Sequence, residues 1–215
     1  MDVLEAIRKR RSINFFEAGK EIPEEKLSEL LEIANLSPSS FNLQPWKVVV
    51  VREPARKRAL RKCANDQEKV EQASAVLIMV ADPMGLEENR DRVLDSWVET
   101  GYIKAEMRKA MAALMDKLYG APDSRRRTVF AVKNTALYAM TLMLAAKGLG
   151  LETHPMDGFD EDCVKKEFGI PADKTVPMLV AVGSLRQGAK MLPRAFRREV
   201  AEFVKFEKYE NKEEA

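Results

Sequence analysis

The feature that most constrains this chain is the stretch 128–147, which is apolar on nearly every side and is followed by Gly148 and Gly150. A helix without a polar face cannot lie on a surface, so the rest of the chain has to enclose it. Its almost uncharged part, residues 134–146, sits between Lys133 and Lys147. That part is too short to cross a bilayer, which needs about 20 apolar residues, and therefore reads as a buried helix.

The elements available to enclose it can be read from their periodicities. Asp2 and Glu5 stand as an N-cap and its third-residue partner, ahead of a helix with an apolar face of Val3, Leu4 and Ile7. Arg8, Lys9, Arg10 and Arg11 close that helix with positive charge. A second helix starts near Pro23, carries Leu27, Leu30, Leu31 and Ala34 at helical spacing, and stops at Ser37-Pro38. Two β-branched or apolar runs, Trp46–Val51 and Ala75–Ala81, predict strands, with a charged helix at about Pro54–Cys63 between them. Residues 86–119 predict helix, interrupted at Gly101 and ended by Gly120-Ala121-Pro122. A turn is expected over His154, Pro155, Met156, Asp157 and Gly158. Asp160 then caps a short helix that runs to Phe168, and 177–183 predicts a third strand. Helices around a small sheet of at least three strands make an α+β fold.

Composition limits the function. Lys plus Arg number 36 against 34 acidic residues, a net charge of +2, so there is no global field for nucleic acid or an anionic membrane. The N-terminus has no apolar signal core. The two cysteines, Cys63 and Cys163, show no CxxC or zinc spacing and read as small buried residues of a protein from a reducing, cytoplasmic compartment. One histidine, His154, makes a histidine-built metal site improbable, and it reads as a packed or hydrogen-bonding residue. No metal site is expected. No GxGxxG follows a strand and no GxSxG occurs, which argues against a Rossmann site and a serine hydrolase.

Two segments offer chemistry. Arg10, Arg11 and Ser12 are either cations favourably placed at a helix C-terminus or donors for a phosphate. The loop Ser37-Pro38-Ser39-Ser40-Phe41-Asn42-Leu43-Gln44-Pro45-Trp46 brings hydroxyls, amides and an indole together between two elements. That is a mixed donor and acceptor edge suited to a polar heteroaromatic ring. As a plain connection it would simply be rich in turn formers.

In this order, RRSIN, SPSSFNLQPWKVVVV, NTALYAMTLMLAAKGLGL with ETHPMDGF, and PMLVAVG make the chain resemble the nitroreductase family across residues 2–204. The resemblance implies a single FMN-binding domain over 1–204, with a mostly antiparallel central sheet surrounded by helices. It also implies a variable helical segment at about 84–127, a charged tail at 205–215, and a homodimer with FMN at the subunit interface. The implied FMN contacts are Arg10, Arg11, Ser12 and Asn14 in the basic turn, and Pro38, Ser39, Ser40 and Asn42 reaching the partner's flavin. Further contacts are Gln67, with Asn65 beside it, and Pro155, Met156, Asp157 and Gly158 over the ring. The backbone of Asp157 and Gly158 would face flavin N5, and Arg197, with Arg194 or Arg198 as alternates, would complete the phosphate clamp. The implied reaction is hydride transfer from NAD(P)H through flavin N5 to an electron-poor acceptor such as a nitroaromatic or quinone, by a ping-pong cycle without a catalytic side chain.

One position departs from the family pattern. Asn14 stands where family members usually carry Arg or Lys, so either another cation substitutes or the flavin potential is lower. A specialised dehydrogenase or dehalogenase-like flavoenzyme of the same fold is the alternative this raises. A non-enzymatic flavin- or nucleic-acid-binding module is the more distant one. The 128–147 helix is expected to be buried partly in the dimer interface, with the tail from Phe203 onward lying across the partner or fraying. Trp97, Tyr102, Met107, Met111 and Met115 are either plain packing or the lining of an apolar substrate channel. Arg125, Arg126 and Arg127 read as a solvated run beside a helix start, with an NADPH phosphate contact as the sharper option.

Overall fold

The computed structural model describes residues 1–209. The chain runs through α1 (Val3–Lys9), α2 (Glu24–Ala34), β1 (Trp46–Val51), α3 (Pro54–Cys63), α4 (Glu68–Gln72), β2 (Ala75–Ala81), α5 (Gly85–Glu99) and α6 (Arg108–Tyr119). It continues through α7 (Arg125–Gly148), β3 (Glu152–Met156), α8 (Glu161–Phe168), β4 (Thr175–Gly183) and α9 (Val200–Phe203). Single 3₁₀ turns at Ser40–Asn42 and Ala105–Met107 complete it.

The strands form one antiparallel sheet in the order β1-β2-β4-β3. β2 lies inside it and is buried at every residue. Its alternation divides the core. Val76, Ile78 and Val80 face Leu60 of α3, Val70 of α4 and Val164 of α8. Leu77 and Met79 face Leu27 and Leu30 of α2 and Tyr138 and Leu142 of α7. The sheet is thus sandwiched between two helical layers, the α+β arrangement expected. Asp82 stops β2 and is buried between Lys174 (2.7 Å) and Lys47 (3.1 Å), which ties the ends of β1, β2 and β4 together.

Local signals placed most boundaries. The Asp2 carboxylate accepts from Glu5 N at 2.8 Å, and that of Asp160 accepts from Cys163 N at 3.0 Å. Gly101, at φ 78°, breaks the 86–119 segment into α5 and α6. α7 runs from Arg125 to Gly148, longer than 128–147, because the Ser124 hydroxyl caps it one turn earlier. At 24 residues α7 is long and apolar enough to cross a membrane by length and composition alone, which the shorter stretch was not. Here it packs on the sheet and on α2.

Two expectations are corrected. The segment read as a turn from His154 onward begins as strand β3, which pairs along β4 from Glu152↔Gly183 to Met156↔Leu179. Pro155 made it look like a turn, yet β3 is an edge strand, where a residue without an N–H is tolerated. Cys63 and Cys163 are not separate small residues: they form a disulfide, with Cα atoms 5.4 Å apart across 100 residues of sequence. The antiparallel path brings the end of α3 beside the first turn of α8, a meeting no local pattern announces.

Gly85, the first residue of α5, sets how closely the loop before β1 can approach. A Cβ there would lie 2.6 Å from Pro45 Cα and 2.7 Å from Pro45 Cβ. Gly85→Ala is therefore expected to destabilise the protein by about 1–3 kcal/mol through forced backbone displacement. Urea denaturation is the check, and an unchanged midpoint would show that the loop gives way freely.

Candidate functional site

The outer edge of β3 would be an unpaired ladder, and the segment after α1 covers it. Ser12 forms a parallel bridge with Thr153, and Ile13 N donates to Thr153 O at 3.2 Å. This docks the basic turn against the strand that leads into Met156, Asp157 and Gly158. The C-terminal segment is fastened to the same turn. Arg11 donates to Leu192 O (3.0 Å) and Pro193 O (3.3 Å), while Arg194 donates to Arg8 O and to Arg10 O (3.2 Å).

Three guanidinium groups gather there. Arg10 is held below its ordinary pKa range by burial and then by the charges of Arg194 and Arg197, with Glu152 opposing them. Its Nη1 is buried and has no hydrogen-bond partner among the described residues. A half-buried cation with a buried, unused donor, pressed by two like charges, is suited to an anion. Arg197 donates to Phe196 O at 2.9 Å, whereas Arg198 stacks over the Phe203 ring at 5.1 Å. The cluster therefore comprises Arg10, Arg194 and Arg197, and Arg198 is not part of it.

The turn beyond β3 is backed by two amides. Gln67 Nε2 donates to Gly158 O at 2.8 Å, and a Cβ on Gly158 would sit 3.6 Å from both Asn65 Nδ2 and Gln67 Nε2. Asn65 and Asp66 hold left-handed backbone (φ 52° and 55°), an arrangement that turns the chain sharply into α4.

α4 also delivers a residue that sequence reasoning missed. Lys69 Nζ donates to Asn14 Oδ1 at 2.9 Å. Burial holds Lys69 below its ordinary pKa range, and the same ammonium, second to burial, pushes His154 down. His154 Nδ1 lies 2.7 Å from Ile13 O, so the ring is a hydrogen-bonding residue, as expected. A cation thus stands against Asn14. The available signal was its place in the sequence, two residues after Gln67.

Against this geometry the comparisons decide the family. The nitroreductase family model matches residues 7–184. The chain belongs to the nitroreductase family. Among its relatives, the NADH dehydrogenase of Thermus thermophilus is 37% identical over 183 residues, 85% of this chain and 86% of that one. A Bacillus subtilis protein provisionally named NAD(P)H nitroreductase MhqN is 32% identical, over 93% of this chain and 96% of that one. A crystal structure of an Exiguobacterium sibiricum family protein in complex with FMN superposes with a TM-score of 0.84 at 27% identity, covering 96% of this chain and 97% of that chain.

In this nitroreductase-family chain the loop before β1 is built separately from the basic turn. Ser39 Oγ accepts from Gln44 N (3.0 Å), Ser40 N donates to Asn134 Oδ1 (3.0 Å) on α7, and Asn89 of α5 donates to Leu43 O (2.9 Å). Phe41, Asn42 and Gln44 adopt positive φ, and Asn42 is exposed. The hydrogen bonds described for Ser39, Ser40 and Asn42 run to α7 and within the loop, and none to Arg10, Arg11, Ser12 or Gly158.

The segment 84–127 is partly core. Met115 is buried, and Trp97 and Tyr119 pack around Phe41 at ring separations of 6.0 and 6.1 Å, while Tyr102 and Met107 are exposed. The expectation for Arg127 is corrected. It is 1% exposed, pairs with Glu87 at 2.6 Å, and donates to Pro83 O (3.0 Å) and Gly120 O (2.7 Å). Arg125 and Arg126 are exposed and fit the solvated reading. The apolar residues predicted to give α1 a packing face, Val3, Leu4 and Ile7, point outward, as do Val129, Leu137 and Met140 of α7.

Proposed function

We propose that this protein is an FMN-dependent NAD(P)H oxidoreductase that works as a homodimer. The observation that carries the reading is the unpartnered, buried Nη1 of Arg10 beside Arg194 and Arg197, at the edge strand leading into Gly158. Arg10, Arg194 and Arg197 would hold the FMN phosphate, with the Ser12 hydroxyl as a further donor. Arg11 contributes by fastening the 192–194 segment that presents Arg194. Pro155, Met156, Asp157 and Gly158 would lie along the ring, kept in place by Gln67 and Asn65.

FMN held there would supply a hydride relay between NAD(P)H and an electron-poor acceptor such as a nitroaromatic or quinone, in two half-reactions at one site. The chain's part is to position and polarise. The backbone N–H groups near Asp157 and Gly158 would face N5, and Lys69, steered by Asn14, would place positive charge at the ring edge. This cation weakens the case for a specialised flavoenzyme with an unusually low potential. Lys69→Gln is expected to lower the two-electron flavin potential by about 30–60 mV, the equivalent of losing one charge-assisted hydrogen bond of about 1.5–3 kcal/mol. Spectroelectrochemistry of the holoprotein checks it, and an unchanged potential would remove Lys69 from this role.

The homodimer is supported by the apolar side chains left exposed at Val3, Leu4, Ile7, Val129, Leu137 and Met140, and by exposed Phe196, Val200 and Phe206 in the C-terminal segment. Pro38, Ser39, Ser40 and Asn42 would then reach the partner's flavin, and the chain from Phe203 would lie across the partner. Residues 210–215 of that tail fall outside the described residues. A cytoplasmic location is part of the same proposal, and the near-neutral charge fits small-molecule partners. The test is anaerobic titration of the purified dimer with NADH and NADPH, followed by nitroaromatic and quinone acceptors. Loss of the flavin's visible absorbance and its return with acceptor are expected. A flavin that neither nucleotide reduces would contradict the reading.

A further inference from the structure

The bridge between Cys63 and Cys163 joins the two turns that back the proposed flavin site. Cys63 ends α3, and the next residues are Ala64, the left-handed Asn65 and Asp66, and then Gln67. Cys163 lies in the first turn of α8, three residues after Asp160. Cys63 O accepts from Asp160 N at 2.8 Å, Asp160 Oδ1 accepts from Cys163 N at 3.0 Å, and Gln67 Nε2 holds Gly158 O at 2.8 Å. The disulfide is the covalent member of a short chain of contacts that runs from Cys163 through Asp160 and Cys63 to Gln67 and Gly158.

Two consecutive left-handed non-glycine residues are an unfavourable backbone that surrounding contacts must over-determine. The Cys63–Cys163 bond adds a covalent tie between the two turns beside the Asp160 N–Cys63 O hydrogen bond. The two sulfurs also differ in access. Cys63 is 4% exposed, whereas Cys163 is half-buried, so an incoming thiolate reaches the Cys163 sulfur first.

We propose that Cys63–Cys163 is a reversible thiol-modification site that sets how tightly the protein holds FMN; this rests on the flavin reading above. The reductant is a dithiol. One of its thiolates attacks Cys163 Sγ, the Cys63–Cys163 bond breaks, and Cys63 leaves as a thiolate that takes up a proton. The second dithiol sulfur then resolves the mixed disulfide and releases Cys163 as a thiol. Two electrons pass from the dithiol, which becomes a disulfide, to the cystine, which becomes two thiols. In the reduced form the Asn65–Gln67 and Gly158–Asp160 turns are tied only by hydrogen bonds.

The experiment measures FMN affinity by fluorescence quenching on the apo dimer in three states: oxidised, reduced with dithiothreitol, and reoxidised. Thiol titration reports the state of the pair in each. Reduction is expected to weaken FMN binding by about 5- to 30-fold and reoxidation to restore it. A Cys63→Ser/Cys163→Ser variant is expected to show the weak constant with or without dithiothreitol. Equal affinity in the two wild-type states, with two thiols titrated only after reduction, would overturn the proposal and leave a purely structural staple. A pair that dithiothreitol cannot reduce in the folded dimer, or one already present as two free thiols, would overturn it too. Absence of FMN binding in every state would instead overturn the flavin reading on which the proposal rests.

Discussion

Arg10→Gln is expected to weaken FMN binding by about 10- to 150-fold while leaving the apo protein as stable as before or slightly more stable. The opposite signs come from one piece of geometry. Without an anion, Arg10 is a partly buried cation held below its ordinary pKa range by burial and by Arg194 and Arg197, and its Nη1 has no partner. Replacing it with a neutral amide removes like-charge repulsion and part of a desolvation cost. With a phosphate present, the same replacement removes a charge-assisted, guanidinium-shaped contact, about 1.5–3 kcal/mol. A residue that merely closed α1 against its dipole would show neither pattern, because its loss would destabilise the helix and leave flavin affinity alone. Arg198→Gln is the matched control. Its guanidinium lies over Phe203, so FMN affinity should change by less than about threefold. Thermal melting of the apo protein and flavin titration of each variant measure both quantities.

The largest effect on stability is expected from Arg127→Met, about 3 kcal/mol, or a fall in Tm of about 6–12 °C at fixed protein concentration. Arg127 joins three stretches of chain: the end of α6 through Gly120 O, the approach to α5 through Pro83 O, and α5 itself through Glu87. Removing it leaves a carboxylate and two carbonyls without their donor. Glu87 remains one-third exposed and can turn to water, which keeps the loss at the lower end for a broken buried pair. Arg126→Met, one residue earlier on an exposed position, should fall within about 0.5 kcal/mol of wild type. Equal effects at the two positions would show that the Arg127 network contributes nothing beyond surface charge. Because Arg127 ties α5 to the end of α6, the same loss should register in hydrogen exchange there before it appears in the sheet.

What the sequence made legible were features whose cause is local. Strands β1 and β2 follow from β-branched and apolar runs, α8 from the Asp160 cap and the left-handed Gly169, and the α5–α6 break from Gly101. The basic turn was visible as a cluster, but its meaning depended on distant residues, since only the fold brings Arg194 and Arg197 to Arg10. Strand β3 was hidden because proline at an edge looks the same in sequence as proline in a turn. Lys69 was hidden because its value lies across space: α4 is a single short helix, and nothing in EKVEQ says that it lies against Asn14. Arg127 looked like the third member of a solvated run because charge alone does not reveal which side of α7 faces the core. The Cys63–Cys163 pairing escaped for the same reason, with 100 residues between the partners.

The central claim is that a phosphate-bearing flavin is held at Arg10, Arg194 and Arg197. It is tested most directly by titrating the apo dimer with FMN and, separately, with riboflavin, which shares the ring and the ribityl chain but lacks the phosphate. The account predicts one FMN bound per chain, with riboflavin weaker by at least about 100-fold, as the loss of a multiply paired phosphate requires. Equal affinity for the two flavins, or no binding of either, would contradict it.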